Sequence, residues 1–186
     1  MTGMLQQVAM TTSRLTIRPF RREDYTDWLE QHNNRLPSQH KYDEGKLDMN
    51  ACTQEWFDSW IKRHEQLAAE DNEYLFGVFR QKDQAHLGDI DISTLLRGDF
   101  QWGRIGYMLH NQHWNQGYGK EAVQAALQIA MGPLQFRRIE AHINTDNVVS
   151  IKLAEHVGMK FECIRESFIY EHGKWTDQMI YFIHSS

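Results

Sequence analysis

Residues 13–20, SRLTIRPF, set Leu15 and Ile17 against Thr16 and Arg18. That two-residue alternation predicts a half-buried strand, stopped near Pro19. The period then lengthens. RREDYTDWLEQHNN, residues 21–34, puts Tyr25, Trp28 and Leu29 on one helical face. In TQEWFDSWIKRHEQLAAE, residues 53–70, Trp56, Phe57, Trp60, Ile61, His64, Leu67 and Ala68 recur at helical spacing, so the tryptophans are expected in the core. Between the two helices, LPSQHKYDEGKLDMN, residues 36–50, is polar and aperiodic. A loop that long in a compact domain usually serves function or is disordered.

Three strands are expected next: EYLFGVFR (73–80), AHLGDIDIST (85–94) and WGRIGYMLH (102–110). They are joined by the turn material QKDQ and LLRGD into an antiparallel meander. EAVQAALQIAMGPL, residues 121–134, is a strong helix former that ends near Gly132-Pro133. RRIEAHIN is a strand with Ile139, Ala141 and Ile143 on one face and Glu140, His142 and Asn144 on the other. NVVSIKLAEHVG is a short helix closed by Gly158. KFECIRESFIYE and WTDQMIYFIH are two strands turning at His172-Gly173-Lys174, with Cys163 expected in the core. The sum is an α+β domain: a mixed, mostly antiparallel central sheet with helices on both faces. Residues 1–12 are expected as a flexible lead-in to a single domain over 13–186.

Composition narrows this further. A 186-residue chain with 41% hydrophobic residues can bury one sizeable core. No apolar run is long enough to span a bilayer, and the first residues lack signal-peptide character, so a cytoplasmic protein with no membrane partner is expected. A net charge of −5 leans away from nucleic acid and towards cationic substrates. The ten histidines show no HxxxH or HExxH spacing, and Cys52 and Cys163 form no metal-spaced pair, so no metal is expected.

The chemistry is concentrated in HWNQGYGKEA, residues 113–122. A strand, a glycine turn and a helix N-terminus together make an anion site, because free N–H groups and the helix dipole converge there and glycine removes the obstructing Cβ. A P-loop is excluded: one residue separates Gly117 from Gly119, and Glu121 follows Lys120. The dinucleotide pattern fits Gly117, Gly119 and Ala122 with Glu140 downstream, but it stands after an antiparallel meander, and too little chain remains for a second nucleotide-binding half. A plain turn remains an alternative.

Four segments in order carry a resemblance. SRLTIRPFRREDY, RIGYMLHNQHWNQGYGKEA, RRIEAHINTDNVVSIKLAEHVGMKF and IRESFIYEHGKWTDQMIY resemble the motifs of GNAT-superfamily N-acetyltransferases of the ribosomal-protein-alanine (RimJ/RimL-like) subgroup. Two positions depart from the wider superfamily. Trp114 opens the glycine motif in place of Gln or Arg, a substitution familiar in this subgroup, and Ala154 stands where a general-acid tyrosine is often found; the motif's G-F pair is also displaced or replaced, since Met159 and Lys160 separate Gly158 from Phe161.

The resemblance implies an acyl-CoA N-acyltransferase fold and direct acetyl transfer from acetyl-CoA to a primary amine in a ternary complex. The pyrophosphate would lie on the N–H groups of Gln116, Gly117, Tyr118, Gly119 and Lys120. The pantetheine would pair with Met108, Leu109 and His110, and an N–H near Leu109 would stabilise the oxyanion. Asn147 would hold the pantetheine or a water, and Ser150 would protonate the thiolate unless it serves only to cap its helix. Asp89, Asp91 and Glu140 are the candidate bases, with Glu140 placed first beside His142 and Asn144. Asp43, Glu44, Asp48, Glu166 and Glu171, in residues 36–50 and 166–175, could draw in a cationic acceptor. A protein N-terminus, such as that of a ribosomal protein, is the favoured acceptor. A polyamine or aminoglycoside, or a non-catalytic acyl-CoA-binding module, is the alternative, and the subgroup suggests a homodimer.

Overall fold

The computed structural model of the chain describes residues 8–185. Its strands are β1 (Met10–Thr11), β2 (Leu15–Arg18), β3 (Glu73–Arg80), β4 (His86–Leu96), β5 (Trp102–Leu109), β6 (Arg138–Asn144), β7 (Lys160–Glu171) and β8 (Lys174–His184). Its helices are α1 (Tyr25–Asn33), α2 (Gln54–Ala69), α3 (Tyr118–Met131) and α4 (Val148–His156). All eight strands form one sheet in the order β1-β2-β3-β4-β5-β6-β8-β7. Every pairing is antiparallel except β5 with β6. Residues 10 and 11, expected in the lead-in, pair with Ile17 and Thr16, while residues 1–7 lie outside the described residues. Among the described residues no helix is long and apolar enough to cross a membrane.

Alternation along single strands builds a core on each face. In β3, Tyr74, Phe76 and Val78 join the main core with Leu15, Ile17, Ile90, Ile92 and the inner side of α3. Leu75 and Phe79 point the other way, to Phe20, Trp28 and Phe57 of the layer that holds α1 and α2. The inner face of α3 is rich in alanine (Ala122, Ala125, Ala126 and Ala130, none more than 2% exposed), which lets the helix sit close on the sheet. On α2 only Phe57 is fully buried; Trp60 is half-buried and Trp56 is 41% exposed, so the tryptophans cap the second core from its rim. Cys163 is half-buried instead of core, because β7 is the sheet's edge strand and most of its side chains face solvent.

Candidate active site

The glycine turn is built by two residues in the left-handed region, Asn115 (φ 60°) and Gly117 (φ 79°), and Gly117 is the N-cap of α3. The first backbone bond of the helix is from Glu121 N–H to the Gly117 carbonyl, 3.3 Å. The five preceding N–H groups, from Gln116 to Lys120, find no acceptor among the described residues. A Cβ at Gly119 would stand 3.2 Å from Leu109 Cδ1, so glycine lets the helix start press against β5. Glu121 anchors the other side of the turn. It accepts from Thr12 Oγ1 (2.6 Å), Arg14 N–H (3.0 Å) and Arg14 Nε (2.7 Å), while Arg14 Nη1 donates to the Gln116 carbonyl. The Lys120 side chain is exposed and has no partner among the described residues. Unpartnered N–H groups at a helix start are an arrangement that can accept an anion.

Beside it the sheet opens. The parallel pairing of β5 with β6 runs only through Trp102↔Arg138, Gly103↔Ile139 and Arg104↔Glu140. Beyond Arg104 the β5 edge has no strand against it. His110 N–H donates to the Leu87 carbonyl at 2.8 Å, which makes Leu109↔Gly88 a non-hydrogen-bonded pair and turns the Leu109 N–H and C=O towards the gap. The carbonyl is taken by Trp114 Nε1 at 2.8 Å, leaving the N–H directed into the gap. By the same alternation the backbones of Met108 and His110 are turned to β4, so of the three expected pantetheine partners only Leu109 faces the opening. Tyr107, two residues back, faces it as well. Its phenol reaches across to the Ser150 carbonyl of α4 at 3.2 Å, and burial pushes its pKa up to about 12.

Residues 36–50 are not disordered but nailed to this frame. Arg35 and Asp43 form an ion pair at 2.9 Å with side chains 1% and 0% exposed. Asp43 also accepts from Gln39 N–H, Gly45 N–H and Asn111 Nδ2. Asn111 in turn bonds the Leu36 backbone both as acceptor (2.7 Å) and donor (2.8 Å). Burial alone would raise the Asp43 pKa, but these four donors outweigh it and hold the group below the usual carboxylate value. Further along, Lys41 and Tyr42 bond Asp146 in the β6–α4 turn.

These contacts wall an open cleft of about 840 Å³, bordered by Lys41, Tyr42, Asp146, Glu171, Lys174 and Trp175. Glu171 presents a carboxylate to it. Its Oε1 accepts from Asn144 Nδ2, Thr176 Oγ1 (2.8 Å) and Gln178 Nε2 (3.4 Å). Its Oε2 has no partner among the described residues. Burial acts to raise its pKa, but the Asn144 and Thr176 bonds prevail and keep it ionised. A separate apolar gap of about 90 Å³ between α2 and β3 contains none of these groups.

The model of the GNAT acetyltransferase domain matches residues 14–160, which hold the glycine cradle, the open β5 edge and α4. The chain belongs to the GNAT acetyltransferase family. Bacillus subtilis YjcK, by name a probable N-acetyltransferase, is 30% identical over 120 residues, 64% of this GNAT chain and 66% of that protein, just under two thirds of its length. The Escherichia coli [ribosomal protein uS5]-alanine N-acetyltransferase is 22% identical over 94% of this chain and 89% of its own. Mycobacterium smegmatis RimJ, solved with CoA-disulfide, superposes with a TM-score of 0.75 at 20% identity, covering 92% of this chain and 82% of that one. The acyl-CoA N-acyltransferase fold expected from the motifs is therefore the fold found.

The remaining expected site residues of this GNAT domain are placed unevenly. Glu140 is 1% exposed and fully engaged: Oε1 accepts from Arg138 Nε (2.9 Å) and Nη2 (2.7 Å), Oε2 from His142 Nε2 (2.8 Å), and Arg165 lies 3.4 Å away. Burial would raise its pKa, yet His142 and Arg138 lower it, which makes it a poor proton acceptor and a structural tie between β6 and β7. Asp89 is paired with His86. Asp91 is pushed up by burial against the pull of Arg104, and its Oδ1 occupies the space that a Cβ at Gly106 would need. Asn147, not Ser150, caps α4: its Oδ1 accepts from Ser150 N–H at 3.3 Å. The Ser150 hydroxyl is thereby left without a partner among the described residues, at the gap that Tyr107 spans. Tyr107, Arg35 and Asn111 carry no local sequence signal as site residues; their contacts are with partners 43, 8 and 68 positions away.

Proposed function

We propose that the protein transfers an acetyl group from acetyl-CoA to a primary amine by direct attack in a ternary complex, and that the acceptor is a protein N-terminal α-amine. The observation that carries this reading is the run of five unpartnered N–H groups, Gln116 to Lys120, beside the open Leu109 edge. Five donors in one turn suit a pyrophosphate, and the Leu109 N–H suits the thioester oxygen as charge builds on it. In this role Asn147 holds the α4 terminus and keeps its Nδ2 for the pantetheine or a water. The Ser150 hydroxyl supplies the proton to the departing sulfur.

Glu171 is the group we assign to the amine. Its free Oε2 accepts a hydrogen bond from the entering ammonium and holds the amine in place, and the proton passes to solvent water. A carboxylate with a lowered pKa is a weak base, and this selects the acceptor. An α-amine of pKa about 7.7–8.0 loses its proton for about 1 kcal/mol at pH 7, a lysine or polyamine amine near 10.4 for about 4–5 kcal/mol. A ribosomal-protein N-terminus, the acceptor in the name of the E. coli relative, fits this chemistry, and a cytoplasmic setting belongs to the same proposal. The test is CoA release on a panel of N-terminal peptides, spermidine and an aminoglycoside. Release with peptides only supports the reading. Release with spermidine or the aminoglycoside transfers the chemistry to small cations, and binding without release with any amine makes the protein an acyl-CoA-binding module.

A further inference from the structure

We propose that His32, His86 and His110 form a buried site for one divalent transition-metal ion of the zinc class, contrary to the expectation from histidine spacing. The three come from α1, from the start of β4 and from the residue after β5, so no sequence motif announces them. They are 6%, 0% and 0% exposed. One ring nitrogen of each lies within 4.8 Å of the others, and the ring centroids are 4.5 Å (His32–His110), 5.0 Å (His86–His110) and 5.9 Å (His32–His86) apart.

Their outer hydrogen bonds point to ligation. His32 Nδ1–H donates to the Trp28 carbonyl at 2.8 Å, and His86 Nε2–H donates to the Asp89 carboxylate at 3.0 Å. Neither acceptor can donate, so both tautomers are fixed and the lone pairs sit on His32 Nε2 and His86 Nδ1. A carbonyl or carboxylate on the far nitrogen is the usual support of a metal-bound imidazole. His110 Nε2 stands 3.1 Å from His86 Nδ1, close to the separation of about 3.3 Å for two nitrogens on one tetrahedral ion. The His110 ring is not otherwise satisfied: its Nδ1 is buried with no partner. Desolvation lowers the pKa of both His32 and His110, which keeps them in the neutral form a metal requires. The nearby Arg35 charge is balanced by Asp43, and Asp89 adds a compensating carboxylate. An ion there would clamp α1 to the β4–β5 ends beneath residues 36–50.

Uptake of metal does not depend on the acetyltransferase reading, so either can fail alone. The experiment is a Co²⁺ titration of untagged, chelator-treated full-length protein, read by visible absorption and by competition with Zn²⁺. The expected result is saturation at about one equivalent with the ligand-field bands of a histidine-bound ion, and a higher melting temperature with Zn²⁺. Asp89→Asn, which leaves the three ligands in place, should lower metal affinity about 10–100-fold while the circular dichroism stays native. Failure of the folded wild-type protein to take up Co²⁺ saturably, or unchanged affinity in a folded Asp89→Asn, would overturn the assignment.

Discussion

Asp43→Asn changes one atom, yet it should damage the protein more than any surface charge. Asp43 receives only donors: Arg35 Nη2 and Gly45 N–H on Oδ1, Gln39 N–H and Asn111 Nδ2 on Oδ2. An asparagine, in either flip, must present its own NH₂ to two of them. It also leaves the Arg35 guanidinium, 2% exposed, without a counter-charge. Breaking a buried ion pair from one side costs about 3–5 kcal/mol. With a urea slope of about 2–3 kcal/mol/M, the unfolding midpoint should fall by roughly 1.5 M. Surviving folded protein should show a raised KM for the amine, because residues 36–50 form one wall of the cleft. Replacing both partners by apolar residues, Arg35→Met with Asp43→Leu, removes the desolvated charge but leaves Gln39 N–H, Gly45 N–H and Asn111 Nδ2 without their acceptor, so it should recover only part of the loss. The pair also predicts an acid limit. The Asp43 pKa is depressed, so its contribution is full above the unfolded value of about 3.9 and is lost as pH falls through the lower folded value. A destabilisation below about 1 kcal/mol in Asp43→Asn would refute the claim that a buried ion pair holds this wall.

Three further outcomes follow from the site. Glu171→Gln keeps an oxygen for Asn144 and Thr176 but removes the charge, so the KM for an N-terminal peptide should rise about tenfold or more while acetyl-CoA affinity is unchanged. Ser150→Ala should lower kcat about 100-fold with native acetyl-CoA binding, and Tyr107→Phe much less; stopped-flow measurement of CoA release distinguishes them, and the reverse order would make the phenol the proton donor. The pH profile of kcat/KM should rise through about 7.7–8.0, the titration of an α-amine, and a rise towards 10 would point to a lysine or polyamine acceptor.

How far the sequence could be read depended on whether the signal was local. The alternation in residues 13–20 and the helical spacing in 53–70 follow from which neighbours along the chain share a face, so the elements came out at nearly their observed limits. The strand, glycine turn and helix start around Gly117 are readable for the same reason, because they are contiguous. Side-chain pairing is not local. Glu140 looked like a base because its strand face was known, while the Arg165 that helps neutralise it lies 25 residues on. Glu171 was one acid among several until Asn144, from another strand, fixed its orientation. The divergence of β5 from β6, which opens the gap, and the β4–β5 register, which turns Leu109 and not Met108 or His110 towards it, are properties of the sheet and leave no mark on either strand's pattern.

If the turn from Gln116 to Lys120 holds the pyrophosphate of acetyl-CoA, disrupting it must abolish binding of that cofactor. Titration calorimetry of acetyl-CoA into the wild-type protein and Gly117→Glu, with NAD(P) and ATP as controls, tests it most directly. The substitution places a negative side chain at φ 79°, where a Cβ would lie 3.3 Å from Arg14 Nη2, and circular dichroism checks that the fold survives. The expected result is micromolar binding of acetyl-CoA to the wild type, abolished in the variant, and weak or no binding of the controls. Absence of acetyl-CoA binding by the folded wild-type protein, or equal binding by both proteins, would contradict it.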